Sequence, residues 1–417
     1  MNIKVYPGTA RGRVRPPSSK SMAHRAIICA SAACGESRIG NIVMSDDISA
    51  TIGAVRAMGA EVNEAEGCLE IKGRDMSSGE PFGVRCGLSG STLRFILPFA
   101  LLRSGVSSLE GQKGLLRRPM GAYRDFCERQ GLFYEQLPGL IKAGGGLKAG
   151  EYSLRDIESS QFVSGLMMAL ACLERPSGLL FDRRPPSLPY AMMTAHVMGL
   201  FGSEANISRK GAYINGGGCR PLDLEIEGDW SQAAFWAVLG AAGGDVALEG
   251  LNEESVQGDI MIRYALNDMG ALSGGLRFTE GSTFRGFSLD FTDFPDIALP
   301  MAAAAVCADS PSALYGTQRL RAKESDRESG IVGLINKMGG RAELHPSHIM
   351  IYPCRPGGGT TVSSGGDHRI AMTAAVLACL AKEPTVIEGA ECVSKSYPGF
   401  WRDLESLGIK TEITGEN

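Results

Sequence analysis

Apolar and polar positions recur along the chain in one repeated order. An amphipathic run of helical period is followed by a glycine, a strand-like stretch of alternating character, a Gly-rich turn and a second short extended stretch. The glycine falls at Gly59, Gly131, Gly202, Gly270, Gly339 and Gly408, separated by 72, 71, 68, 69 and 69 residues. Each stands where a helix C′ residue needs positive φ, and each hands the chain to a stretch such as Ile349-Met-Ile-Tyr. Such a period is longer than that of common solenoids and spans several elements. The pattern predicts an α/β chain of six subdomains of about 70 residues, each burying one face against its copies.

Two stretches interrupt this rhythm. Arg15-Pro-Pro-Ser-Ser is a stiff segment near the start, and Leu224-Glu-Ile-Glu-Gly-Asp-Trp is a strand ending in a turn near the middle. With three repeats between them, residues 19–227 are expected to form one globule and residues 1–18 with 228–417 the other. The chain then crosses between domains twice.

Composition narrows the class of function. The chain has 417 residues, 44% hydrophobic and 21% charged, and a formal net charge of -4, which offers no overall positive field to nucleic acid or an anionic membrane. The longest apolar stretch, residues 297–308, is too short to span a bilayer, and Met1-Asn-Ile-Lys-Val-Tyr-Pro has no signal-like apolar core. A cytoplasmic location and a monomeric state are expected. Eleven cysteines are scattered without a Cys-x-x-Cys pair, so they read as reduced thiols acting as small hydrophobes. His345 and His348 flank Pro346-Ser347 in what reads as a hairpin turn, so no metal site is expected there.

The candidate chemistry gathers at helix starts. Pro17-Ser-Ser-Lys-Ser-Met-Ala-His-Arg opens an apolar run, as does Cys86-Gly-Leu-Ser-Gly-Ser-Thr-Leu-Arg-Phe, where Gly87 and Gly90 permit close backbone approach to a ligand. Glu158-Ser-Ser-Gln precedes another, and these side chains either saturate phosphate oxygens or merely cap the helix. Arg319-Leu-Arg-Ala-Lys-Glu-Ser-Asp-Arg reads alone as a solvated ion-pair face, but Asp367-His-Arg and Ser394-Lys-Ser-Tyr-Pro repeat the placement of cations ahead of a helix. Unrelated salt bridges should scatter along helices. A shared anionic substrate set would instead gather cations at equivalent helix N-termini, where unpaired N–H groups and the helix dipole already favour negative charge.

These motifs resemble those of the 5-enolpyruvylshikimate-3-phosphate synthase family, over essentially the whole chain. The resemblance rests on Ser19-Lys-Ser with Arg25, Ser45-Asp-Asp, Gly90-Ser-Thr-Leu-Arg94, Arg118-Pro, Ser159-Ser-Gln, Phe294-Pro-Asp, Lys323-Glu-Ser-Asp-Arg327, Asp367-His-Arg and Lys395-Ser-Tyr-Pro, in that order. It implies two inside-out α/β globules, each of three βαβαββ units, hinged around a cleft. It also implies enolpyruvyl transfer from phosphoenolpyruvate to the 5-hydroxyl of shikimate 3-phosphate by addition and elimination, on the way to chorismate and aromatic amino acids, without metal or organic cofactor.

By the same resemblance Lys20, Ser21, Arg25, Ser159, Ser160, Gln161, Ser187, Asp296 and Lys323 would hold shikimate 3-phosphate. Lys20, Gly90, Arg118, Gln161, Arg327, Arg369 and Lys395 would hold phosphoenolpyruvate. Glu324 would protonate the enol methylene and Asp296 accept the hydroxyl proton, with Lys20 sharing in proton traffic. Two positions depart from the family pattern: Leu88 stands where an Asn is frequent, and Arg319 where some members carry Asn. The related transferase acting on UDP-N-acetylglucosamine is the nearest alternative, but Gly111-Gln-Lys-Gly-Leu-Leu-Arg-Arg-Pro carries neither the Cys nor the Asp of that enzyme's loop. An inactive binding homologue is the other alternative, against which the presence of Lys20, Asp296, Glu324 and Lys395 speaks.

Overall fold

The six spaced glycines all adopt positive φ, between 64° at Gly131 and 105° at Gly270. Gly131 caps the helix Gly121–Gln130 in the left-handed region, its N–H donating back to that helix, and the strand Phe133–Leu137 follows. The computed structural model describes residues 1–281 and 283–415. Among these residues lie six four-stranded sheets, all with one topology.

In the sheet containing Gly83–Arg85, that strand runs parallel to Val106–Glu110, which pairs antiparallel with Leu140–Gly144, and Phe133–Leu137 takes the edge. With the helices Gly90–Leu101 and Gly121–Gln130 between the strands, this is a βαβαββ unit. Three of the six sheets borrow a strand from far along the chain. Asn2–Val5 completes the sheet of Thr385–Glu388 and Thr411–Gly415, Arg11–Val14 pairs with Asp245–Leu248, and Leu224–Glu225 pairs with Gly35–Gly40.

The chain divides into two compact units, residues 1–17 with 228–417, and residues 18–227. Each has its own hydrophobic core. In the 18–227 unit the core is built on the helices Lys20–Ser31, Gly90–Leu101 and Ser160–Ala171, whose only residues not buried are Lys20, Ser21, Ser91 and Gln161, all in first turns. In the other unit Trp230–Ala241, Ala298–Val306 and His368–Leu380 play this part. Helices apolar all round belong in an interior, while the strands, with alternating burial such as that of Cys68–Gly73, cover them and face solvent on one side. The arrangement is the inside-out one expected.

His345 and His348 close the hairpin between Arg341–Leu344 and His348–Tyr352, their rings stacked with centroids 4.7 Å apart. All eleven cysteines are free thiols. Among the described residues no helix is long and apolar enough to cross a membrane.

Candidate functional site

In the 18–227 unit most of the candidate residues cap or lie in the first turns of helices that are tied together by side-chain bonds, with Arg25 one turn further on and Arg118 in the connection between two helices. Ser19 caps the helix Lys20–Ser31, and Lys20 Nζ lies 2.8 Å from Asp47 Oδ2 at the start of the helix Asp46–Ala57. Arg25 is buried. Its Nε donates to Thr194 Oγ1 at 2.6 Å, its Nη1 to the Ser21 carbonyl at 2.6 Å and its Nη2 to the Tyr190 carbonyl at 2.9 Å. It thereby fixes the first turn of the Lys20 helix against the helix Leu188–Leu200. Ser187 precedes that helix with φ of 53°, a left-handed conformation that costs a non-glycine residue strain.

Gly90 opens its helix beneath the Arg118 guanidinium. A Cβ at Gly90 would lie 2.5 Å from Arg118 Nη1, so only glycine lets the guanidinium sit over this helix N-terminus. Gly90→Ala is expected to displace Arg118 and raise the KM for an anionic substrate held there by about tenfold or more, the loss of roughly one charge-assisted hydrogen bond. Steady-state kinetics on the variant checks this, and an unchanged KM would separate Arg118 from substrate binding. Gln161, in the first turn behind the cap Ser159, donates to Ser91 Oγ at 3.1 Å and accepts from Arg94 Nη1 at 2.8 Å. Ser160, beside it, is buried.

Arg94 is one residue that the family-derived set omits. Its Nη2 donates to the Pro119 carbonyl at 3.0 Å, so one guanidinium joins Gln161 to the Arg118-Pro119 segment. Asp47 is a second omission, although both lie within motifs recognised in the sequence. A buried chain, His24 to Thr51 to Thr92 to Ser89, links the same helix ends. Burial pushes His24 down to about 3, with a raising contribution from Asp47 and lowering ones from Lys20 and Arg25, so the ring is neutral at physiological pH.

In the other unit a single ion-pair network gathers all the candidates. Asp296 receives Lys323 Nζ at 3.4 Å and Arg327 Nη1 at 3.3 Å on Oδ1, and Arg369 Nη2 at 3.3 Å on Oδ2. Glu324 receives Arg327 Nη2 at 2.8 Å and Lys395 Nζ at 3.3 Å. Asp367 caps the helix His368–Leu380 and grips Arg327 from the other side, through Nε at 2.8 Å and Nη2 at 3.1 Å. Arg369 also donates to Ser231 Oγ, at 2.9 Å, at the start of the Trp230–Ala241 helix. Asp367 and Ser231 were not in the family-derived set. Asp367 stood in a recognised motif, whereas nothing in the sequence near Ser231 pointed to Arg369.

The electrostatics follow from this geometry. Burial would raise the Asp296 carboxyl, but Arg369, Lys323 and Arg327 outweigh it and hold the group far below the usual carboxylate range. Burial lowers Lys323 to about 8 despite the opposing pull of Asp296, with Arg327 and Arg319 adding repulsion. Burial would also lower Arg327, yet Asp367 and Glu324 more than compensate and keep it cationic. Of the two departing positions, Arg319 donates to the Thr292 carbonyl at 2.7 Å and Leu88 is exposed.

Each unit thus carries a ring of helix N-termini with cations held over them, a construction suited to phosphates and carboxylates. The family model described as EPSP synthase (3-phosphoshikimate 1-carboxyvinyltransferase) matches residues 6–404. The chain belongs to the EPSP synthase family. It is 37% identical over 414 residues to a 3-phosphoshikimate 1-carboxyvinyltransferase of Clostridium kluyveri, covering 97% of each chain. Two solved structures share the fold. The EPSP synthase of Acinetobacter baumannii is 24% identical with a TM-score of 0.82 over the whole of both chains. The enolpyruvyl transferase NikO of Streptomyces tendae is 16% identical with a TM-score of 0.76, over 99% of this chain and 98% of that one.

Proposed function

We propose that this chain transfers the enolpyruvyl group of phosphoenolpyruvate to the 5-hydroxyl of shikimate 3-phosphate and releases phosphate, through a tetrahedral intermediate. The observation that carries the reading is the network around Asp296. There, among the described residues, Lys323, Arg327, Arg369 and Lys395 pair with Asp296, Glu324 and Asp367, four cations to three carboxylates before any substrate arrives. Two substrates carrying several negative charges need that excess, and Arg can meet carboxylate or phosphate bidentately.

In this reading Ser21, Arg25, Ser159, Ser160, Gln161, Ser187 and Lys323 hold shikimate 3-phosphate, with Asp296 on its 5-hydroxyl. Gly90, Arg118, Gln161, Arg327, Arg369 and Lys395 hold phosphoenolpyruvate, and Lys20 touches both. Residues 19–227 form mainly the shikimate 3-phosphate side, and residues 1–18 with 228–417 the phosphoenolpyruvate side. The substrates are cytoplasmic metabolites, and the enzyme works there as a monomer.

The depressed Asp296 has a consequence for the order of events. A carboxylate held so far down by three cations is a poor base, and it becomes a useful one only when substrate anions draw Lys323, Arg327 and Arg369 toward themselves. Substrate binding thereby switches on the proton acceptor, and Glu324, released from Arg327 and Lys395, can carry the proton that the enol methylene requires.

Lys323 provides the pH test. Its ammonium, lowered to about 8, is the form that attracts an anion, so kcat/KM should decline as pH rises through about 8. The basic limb should move upward in Lys323→Arg, since a guanidinium stays charged. A profile flat to pH 10 would remove Lys323 from substrate binding. The function itself is tested by incubating the protein with phosphoenolpyruvate and each acceptor and measuring phosphate release. Release with shikimate 3-phosphate supports the proposal. Turnover with UDP-N-acetylglucosamine alone, or binding without turnover, overturns it.

A further inference from the structure

Two rungs join the helices Lys20–Ser31 and Asp46–Ala57. Lys20 and His24 are four residues apart, as are Asp47 and Thr51, so each pair stands on one face of its helix, one turn apart. The outer rung is the ion pair of Lys20 Nζ with Asp47 Oδ2 at 2.8 Å, and the inner one joins His24 Nδ1 to Thr51 Oγ1 at 2.7 Å. Solvent still reaches part of the Lys20 side chain, whereas His24 and Thr51 are entirely buried.

The inner rung reaches a third helix. Thr51 Oγ1 lies 2.7 Å from Thr92 Oγ1, which donates to Ser89 Oγ at 2.8 Å, and Ser89 caps the helix Gly90–Leu101. The rings of Phe95 on that helix and His24 meet in a T shape, with centroids 6.4 Å apart. His24 Nε2 has no hydrogen-bond partner among the described residues. A bare lone pair in the interior costs less than an unshared N–H, which assigns the ring proton to Nδ1 and makes His24 the donor to Thr51.

We propose that His24 and Thr51 are positioning residues for Lys20, resting on the reading in which Lys20 touches both substrates. Their bond sets the spacing and rotation of the two helices one turn beneath the ion pair, and thereby holds the ammonium where substrate anions meet it. Sliding or rolling either helix would break the inner rung and leave its N–H unsatisfied in the interior, at the full desolvation cost of a buried donor. A lysine stem is flexible, so the outer rung alone fixes the ammonium far less firmly. Burial keeps the His24 ring neutral, so it neither repels Lys20 nor draws the Asp47 carboxylate away from it.

The test is calorimetric titration of the full chain with shikimate 3-phosphate in two backgrounds, native and Lys20→Ala, the latter at correspondingly higher concentration. Thr51→Val keeps the shape and removes the hydroxyl. In the native background it should weaken binding about fivefold or more, part of the worth of a charge-assisted hydrogen bond, and Thr51→Ser should restore the affinity. In the Lys20→Ala background the same change should alter affinity by less than about twofold, because its effect passes through the ammonium. His24→Asn keeps a donor near the Nδ1 position and should bind like the native chain. His24→Leu should reproduce the Thr51→Val result in both backgrounds, and it decides the matter if Thr51→Val does not fold. An equal loss with and without Lys20, as a merely structural rung would give, overturns the assignment, and so does native affinity in both rung-breaking variants. The proposed activity fails separately, in a native chain that neither binds shikimate 3-phosphate nor releases phosphate.

Discussion

Glu324→Gln is expected to slow turnover by at least about 100-fold, the lower end for loss of a general acid, while affinity for the acceptor is unchanged. The substitution is nearly isosteric, and because Arg327 Nη2 meets Oε2 at 2.8 Å and Lys395 Nζ meets Oε1 at 3.3 Å, the single amide oxygen keeps one of these two bonds. What disappears is the capacity to deliver a proton. The change also removes one negative charge from between Arg327 and Lys395, so binding of phosphoenolpyruvate, the substrate assigned to those two cations, should tighten rather than weaken. A fall in kcat without a rise in KM therefore isolates the proton-transfer role, as steady-state kinetics with each substrate varied will read. A near-normal rate would take Glu324 out of the mechanism.

Arg327→Leu is expected to give the largest loss of stability, about 3–5 kcal/mol, because it leaves carboxylates largely withdrawn from water without their central cation. Arg327 is only 2% exposed and meets Asp296, Glu324 and Asp367 at once. Lys323, Arg369 and Lys395 keep partial hold of the first two, but Asp367 loses both of its Arg327 bonds in the interior. The sign of the pH dependence follows. Asp296 is depressed in the folded chain from an ordinary value of 3.8, so its contribution is present above that value and is lost as pH falls. Without Arg327 the depression shrinks, and the gap between native and variant stability should narrow as pH drops below about 4. Denaturant unfolding of both proteins at pH 7 and at about pH 3 measures it. A variant within about 1 kcal/mol of native at pH 7 would mean that the network is structurally dispensable.

Much of the candidate site was legible because its chemistry is local to helix starts. Lys20, Gly90, Ser159 and Arg369 stand at the starts of buried helices and Arg327 at the start of an amphipathic one, and a short polar motif before an apolar run announces that position. Partners supplied by other repeats were harder to see. Arg94 lies within a recognised motif, but only folding shows it bonded to Gln161 and Pro119, 67 and 25 residues away. Ser231 meets Arg369 across 138 residues, and no local pattern encodes that encounter.

The sequence by itself determined the repeat, because a helix that ends in positive φ needs glycine and a half-buried strand needs alternation, and both are written in neighbouring residues. It also determined which helices lie inside, since runs such as Ala302–Ala305 have no polar face to offer water. Tertiary structure alone decided which strand completes each sheet. Asn2–Val5, Arg11–Val14 and Leu224–Glu225 are short stretches whose backbone groups would pair with almost any edge, and their partners are chosen by where the finished units bring them. It also decided the charge state of the site. A carboxylate's basicity depends on the cations around it, and those around Asp296 arrive from three separate segments of the chain.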